Sequence, residues 1–266
     1  LSLFGAVITP GANAQGSQPA PLKTAEELQT LVAPIALYPD ALIAHILPAS
    51  TVPVDVVEAA RYLREHGGEV KESPDVPWLP SVRALLRFPD VLNMMDDKLT
   101  WTRDLGNAVI AQQSDVMDAV QHVRKLAQEA GSLVTNDKQV VEVEKEVIKI
   151  VPANPEVIYL PVYNPQVIYV QQPTTVVVED HHDDEAAAAM VAFGMGVLVG
   201  AAFAHDDCDW HGHTISHYGY YGWTATGVHV TPHTWRPGPG GVYDPRGIYD
   251  PRGALDPRGI ADLRGV

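Results

Sequence analysis

Apolar residues recur at helical spacing through the first half of the chain. Thr24 and Glu27 form an S/T-x-x-E capping box, in which each side chain satisfies an orphan backbone donor, and Leu28, Leu31, Val32 and Ile35 follow three and four apart. Pro39 ends that helix and suits the first turn of the next, over residues 40–47. Pro53 opens another over 54–66, with Gly67 as its stop and Val56, Ala59, Ala60 and Leu63 as its apolar face. A Pro-rich break at 73–80 precedes a second helical set, where Val82, Leu85 and Leu86 make the first apolar face. Helices over 97–111 and 115–130 complete that set. The last carries a stripe of Val116, Ala119, Val120, Val123 and Ala127, and Gly131 ends it. Tyr38-Pro39-Asp40 and Phe88-Pro89-Asp90 punctuate the two sets alike, which suggests a duplicated helix pair.

The period changes at Gln139. Val141, Val143, Val147 and Ile150 roughly alternate with Glu142, Glu144 and Lys145, the pattern of a half-buried strand. A repeat follows: Asn154-Pro155-Glu156-Val157-Ile158-Tyr159-Leu160 returns as Asn164-Pro165-Gln166-Val167-Ile168-Tyr169-Val170. Asn-Pro opens turns and Val-Ile-Tyr is β-prone, so two short strands joined by residues 161–163 are expected, with another at 174–178. Residues 186–204 then run without a charge, long enough for a helix to span a bilayer. Ala188, Ala192, Gly196, Gly200 and Ala204 fall four apart, which on a helix lets a second backbone approach closely. Membrane insertion or membrane-like oligomer packing is the expectation. A buried helix of a soluble fold and a loose Gly/Ala tract are the alternatives. From Asp244 the chain repeats Asp-Pro-Arg-Gly every six residues, a turn-forming unit too short to build a core.

The expected fold class is α+β: an N-terminal multi-helix module, a small antiparallel β-repeat, one Ala/Gly-rich apolar helix and a largely disordered C-terminal tail. The segments are a signal-peptide remnant at 1–14, a linker at 15–23, the helical module at 24–131, the β-repeat at 139–178, the apolar helix at 186–204, and the His/Gly/aromatic and Asp-Pro-Arg-Gly tail at 205–266. The first segment rests on the apolar run LSLFGAVI followed by Ala12-Asn13-Ala14, the h-region and cleavage pattern of a secretory signal. No basic n-region precedes it, so the sequence is expected to begin inside its precursor.

With 18 basic against 33 acidic residues, the net charge of −15 excludes the positive stripe a nucleic-acid binder needs. Cys208 is the only cysteine, so no internal disulfide forms. Eight of the eleven histidines lie between positions 181 and 233. Imidazole, thiolate and carboxylate suit Zn or Cu, which makes His205, Cys208, His211, His213 and His217 the candidate ligands, although their spacing matches no closed structural site. Weak adventitious binding and a polar, pH-responsive surface are the competing explanations. No G-x-S-x-G, H-E-x-x-H or phosphate-cradling loop occurs, so no catalytic residue is assigned. His45, in an apolar helix, reads as a satisfied helix residue, and Asp40 and Asp90 as acids favoured at helix starts.

The run Ala33-Pro34-Ile35-Ala36-Leu37-Tyr38-Pro39-Asp40, continuing to Leu47-Pro48-Ala49-Ser50-Thr51, resembles the opening of a bacterial family known as domain of unknown function 3300. The two Asn-Pro-x-Val-Ile-Tyr repeats around Leu160-Pro161-Val162-Tyr163 resemble it too, and the resemblance covers residues 24–210. It implies an exported, envelope-associated protein without an established activity and supplies no catalytic residues. The chain is therefore expected to be a non-catalytic structural or interaction protein of the periplasm or envelope membrane. Its expected partners are envelope proteins or further copies of itself, met through the Gly/Ala segment. A periplasmic metal-binding protein and an envelope-polymer enzyme are the alternatives.

Overall fold

The capping box at Thr24 forms as expected. Its Oγ accepts from the Glu27 N–H, and the Glu27 carboxylate accepts from the Thr24 N–H. It opens α1 (Ala25–Val32), the first of six helices in a computed structural model that describes residues 22–70, 74, 76–166, 191–199, 203, 206–218 and 232–235. Proline punctuation sets the next starts: α2 (Asp40–Ser50) after Pro39, α3 (Pro53–Glu65), α4 (Pro80–Leu85) and α5 (Pro89–Asp97). Gly67 and Gly131 take positive φ after α3 and α6, as helix stops require. The long α6 (Leu99–Glu129) is two helices joined at Gln112, whose backbone is non-helical. That break falls between the two expected helices. The Gln112 amide stabilises it by binding the backbone N–H and C=O of Lys23 and the Asp115 carboxylate.

All eleven residues of α2 are buried. α3, α4, α6 and the later strands at 147–152, 207–209 and 214–218 surround it. A helix apolar on every side needs cover on every side. Its end meets α6 at Gly106, where an added Cβ would collide with the Ser50 carbonyl, so only glycine permits the approach. Among the described residues no single helix is long and apolar enough to cross a membrane.

The strands form three small antiparallel sheets among the described residues. The expected strand after Gln139 is a hairpin, β1 (Gln139–Glu144) and β2 (Val147–Pro152). Its turn passes through Lys145 at φ 58°, a conformation that Gly or Asn would have advertised. The first repeat copy gives β3 (Val157–Val162), which runs on through Pro161 instead of turning there. An irregularity of register between Tyr159 and Pro161 accommodates the proline. Ile158 and Leu160 bury in the same core as the helices. The second copy from Val167, and residues 174–178, lie outside the described residues.

The largest correction concerns the Ala/Gly segment. Its described part is not a helix but a strand, β4 (Ala192–Leu198), paired with β3. Gly196 sits opposite Tyr159, and an added Cβ would lie 2.6 Å from the Val157 side chain and 2.8 Å from the Tyr159 ring. Gly194 and Gly196 also weaken a helix, while Phe193 and Val197 favour a strand. Ala192 and Gly196 therefore belong to a ribbon, not to a helix-packing stripe. Ala188, Gly200 and Ala204 lie outside the described residues.

The histidine-rich part of the tail contains strands. β5 (Asp207–Asp209) and β6 (Thr214–Tyr218) form a hairpin, extended by β7 (Pro232–Trp235). Cys208, Trp210 and Ile215 join the central core. An acidic, histidine-rich sequence concealed this, because its apolar residues are few and widely spaced. The Asp-Pro-Arg-Gly repeats lie outside the described residues.

Candidate functional site

The C-terminal hairpin is held to α2 by buried polar groups. Asp40, the first residue of α2, accepts from the Trp210 indole N–H at 2.8 Å and the Ile150 N–H at 3.2 Å, and pairs with Arg124 at 2.6 Å. Arg124 of α6 is itself fully buried. Its guanidinium donates to the carbonyls of Ala36, Ile148 and Tyr38 at 2.7–2.9 Å and lies 4.7 Å from the Trp210 ring centroid. Burial pushes the Asp40 carboxyl up, against the pull of Arg124 and Trp210. Cys208 packs beneath this pair, its thiol directed at the Asp40 carbonyl at 3.8 Å. Burial, reinforced by Asp40, pushes that thiol well above its ordinary value, which disfavours the reactive thiolate.

Beside this network lies a second group. The Nε2 of His45 is 2.8 Å from Asp206 Oδ2, with both side chains fully buried. His217 of β6 places Nδ1 3.9 Å from Asp206 Oδ1 and stacks on His45 with ring centroids 4.9 Å apart. Phe203 lies 4.5 Å from the His45 ring and in turn meets Phe88, so one wall is aromatic. Each of the three residues offers one ligand atom, and these atoms all lie within 4.8 Å of one another.

Asp206 and Asp40 also line a cavity of about 520 Å³. Its walls carry Glu142, Asp207 and Asp209, with Lys149 as the basic group among them. Lys149 pairs with Asp207 at 3.1 Å. Burial alone would lower the Lys149 ammonium, but Asp207, Asp40 and Glu144 outweigh it and raise it.

The candidate ligands read from the sequence divide. His205 lies outside the described residues. Cys208 is buried under Asp40 and His211 is exposed in the β5–β6 turn. His213 is drawn to Asp118 of α6 at 2.8 Å. Only His217 joins the three-residue group, and it does so with His45 and Asp206. His45, expected to be a satisfied helix residue, finds its partner in Asp206 and stacks on His217. Its one local signal was an imidazole amid an otherwise apolar stretch, and its partner stands 161 positions away.

Relatives add no named activity. The chain is 37% identical over 153 residues to the "Uncharacterized protein YacH" of Escherichia coli (strain K12). The match covers 51% of this chain and 25% of that protein, so the chain spans about a quarter of its relative's length. No solved structure matches. The family model described as "Protein of unknown function (DUF3300)" matches residues 24–233, which takes in every described helix, both histidines of the buried group and Asp206. The chain belongs to this DUF3300 family.

Proposed function

We propose that this chain is the folded body of an exported envelope protein that works by binding, not by bond-making chemistry. The observation that carries the reading is the acid-lined cavity between β2 and the β5–β6 hairpin. Its volume falls within the roughly 300–1,000 Å³ usual for small-ligand sites. Five acidic residues and one lysine line it, and with Asp40 committed to Arg124 the balance still favours cationic groups, such as a ligand amine or a basic peptide side chain. The same sign of charge opposes nucleic acid. The described thiol is buried and protonated, and Asp40 and Arg124 are occupied by structural bonds, which favours binding over catalysis. Export rests on the leader-like residues 1–14.

Two experiments test this. Fractionation of cells making the full precursor should place the chain in the envelope or periplasm, and recovery in the cytoplasm of correctly processed cells defeats the export reading. Calorimetry with a tetralysine peptide should show binding that weakens about tenfold in Asp207→Asn/Asp209→Asn and falls with added salt. Equal affinity for tetraglutamate defeats the cavity reading.

A further inference from the structure

We propose that His45, Asp206 and His217 form a binding site for one divalent transition-metal ion of the zinc class. Two imidazole nitrogens and a carboxylate oxygen are a donor set that zinc and its neighbours accept, and one that calcium and magnesium, which prefer all-oxygen shells, do not. The three ligand atoms already lie within 4.8 Å of one another. Ligands about 2.0–2.1 Å from a tetrahedral ion stand roughly 3.4 Å apart, so small side-chain adjustments close the site. The 2.8 Å contact between His45 and Asp206 opens slightly and the 3.9 Å contact between Asp206 and His217 shortens.

The surroundings favour an ion as well. His45 and Asp206 are fully buried and His217 nearly so, and Phe203 and Phe88 form a wall behind them. Low local polarity strengthens attraction between a dication and its carboxylate. Three ligands among the described residues leave a tetrahedral ion one further position. Asp206 also borders the acid-lined cavity, whose charge gathers cations next to the group.

The ligands come from distant parts of the chain, His45 from α2 and the other two from or next to the C-terminal hairpin. An ion therefore fastens the hairpin to the central helix. This differs from a histidine-rich tail that traps metal on its surface, where His211 and His213 would be the important residues.

The test uses tag-free full-length protein, stripped with a chelator and dialysed. Titration with Zn²⁺ should give one tightly held ion per chain, a raised melting temperature, and, with Co²⁺ as the probe, visible bands of a low-coordinate site. His217→Gln should retain the far-ultraviolet dichroism of the parent yet bind Zn²⁺ at least about 100-fold more weakly, since losing a ligand costs no less than losing a group that orients one. Asp206→Asn should do the same, and His211→Asn/His213→Asn should leave stoichiometry and melting shift intact. If His45→Gln or His217→Gln unfolds, the Co²⁺ spectrum and protection of His217 from diethyl pyrocarbonate in the parent decide instead. The proposal is overturned if the folded His217→Gln protein binds Zn²⁺ like the parent. It is equally overturned if binding vanishes only with His211 and His213, or if the stripped parent binds no ion.

Discussion

Removing the buried guanidinium of Arg124 would leave the Asp40 carboxyl buried and short of its strongest partner. Losing one member of such a pair costs about 3–5 kcal/mol, whereas replacing both by apolar groups of similar shape is often nearly neutral. Arg124→Met is therefore expected to lower the urea midpoint sharply, and Asp40→Leu/Arg124→Met to recover part of the loss. Arg124→Lys should resemble Arg124→Met, because one ammonium cannot serve three carbonyls and a carboxylate in the guanidinium's plane. Tyr38 gives a pH prediction. Burial, with Asp90 adding to it, pushes its phenol up to about 12 from 10.0. The unfolded chain ionises first, so the stability this group contributes is complete below pH 10 and is lost as pH rises toward 12. Between those limits the parent should lose stability more steeply than Tyr38→Phe in denaturant titrations, and identical slopes would refute the assignment. Neither behaviour was legible in the sequence. A lone arginine on a helix and a tyrosine before proline have no local mark of burial, because the groups that enclose them lie far along the chain.

Among elements, the helices and the strand-forming stretches of 139–162 were legible, and the β1–β2 turn and β4 to β7 were not. Prolines at 39, 53, 80 and 89 and glycines at 67 and 131 punctuate the helical half with residues whose backbone limits are known in advance. The β1–β2 turn uses Lys145 at positive φ, which has no such signature. The Ala/Gly run was ambiguous for a different reason: four-residue spacing of small side chains fits a helix seam, yet even spacing equally places Ala192, Gly194 and Gly196 on alternate positions of a strand. β3 decides between them by offering Tyr159, whose ring needs a bare backbone opposite. Gly196→Val should cost about 1–3 kcal/mol by overpacking and should speed amide exchange across β3 and β4 before other elements. Gly106→Ala sets two effects in opposition. Helix propensity favours alanine by up to about 1 kcal/mol, but its methyl would enter the Ser50 carbonyl, and backbone cannot step aside as a rotamer can. A net fall in melting temperature is expected; a rise would mean that α2 and α6 separate easily.

At the scale of the molecule, the two ends of the described chain close on two neighbouring helices, α6 and α2. α1 lies along α6, and Trp210, Cys208 and Ile215 complete the core around α2. Ending the chain at Val199 should therefore expose the α2 face that carries Asp40 and His45. Relative to a chain ending at Trp235, it should melt lower and less cooperatively and bind a hydrophobic dye. The candidate site escaped the sequence for the same reason. His217 was within reach as part of a histidine-rich stretch, but its partner His45 belongs to an element from the other end of the chain. The complete enclosure of α2 also has a consequence for biosynthesis. His45 is made 161 positions before Asp206, which at about 5–20 residues per second is an interval of roughly 8–32 s. Throughout it the most apolar of the described helices lacks its last wall. A nascent chain in that condition is a natural client for a holding chaperone, and slowing translation between α6 and β5 should lengthen the association.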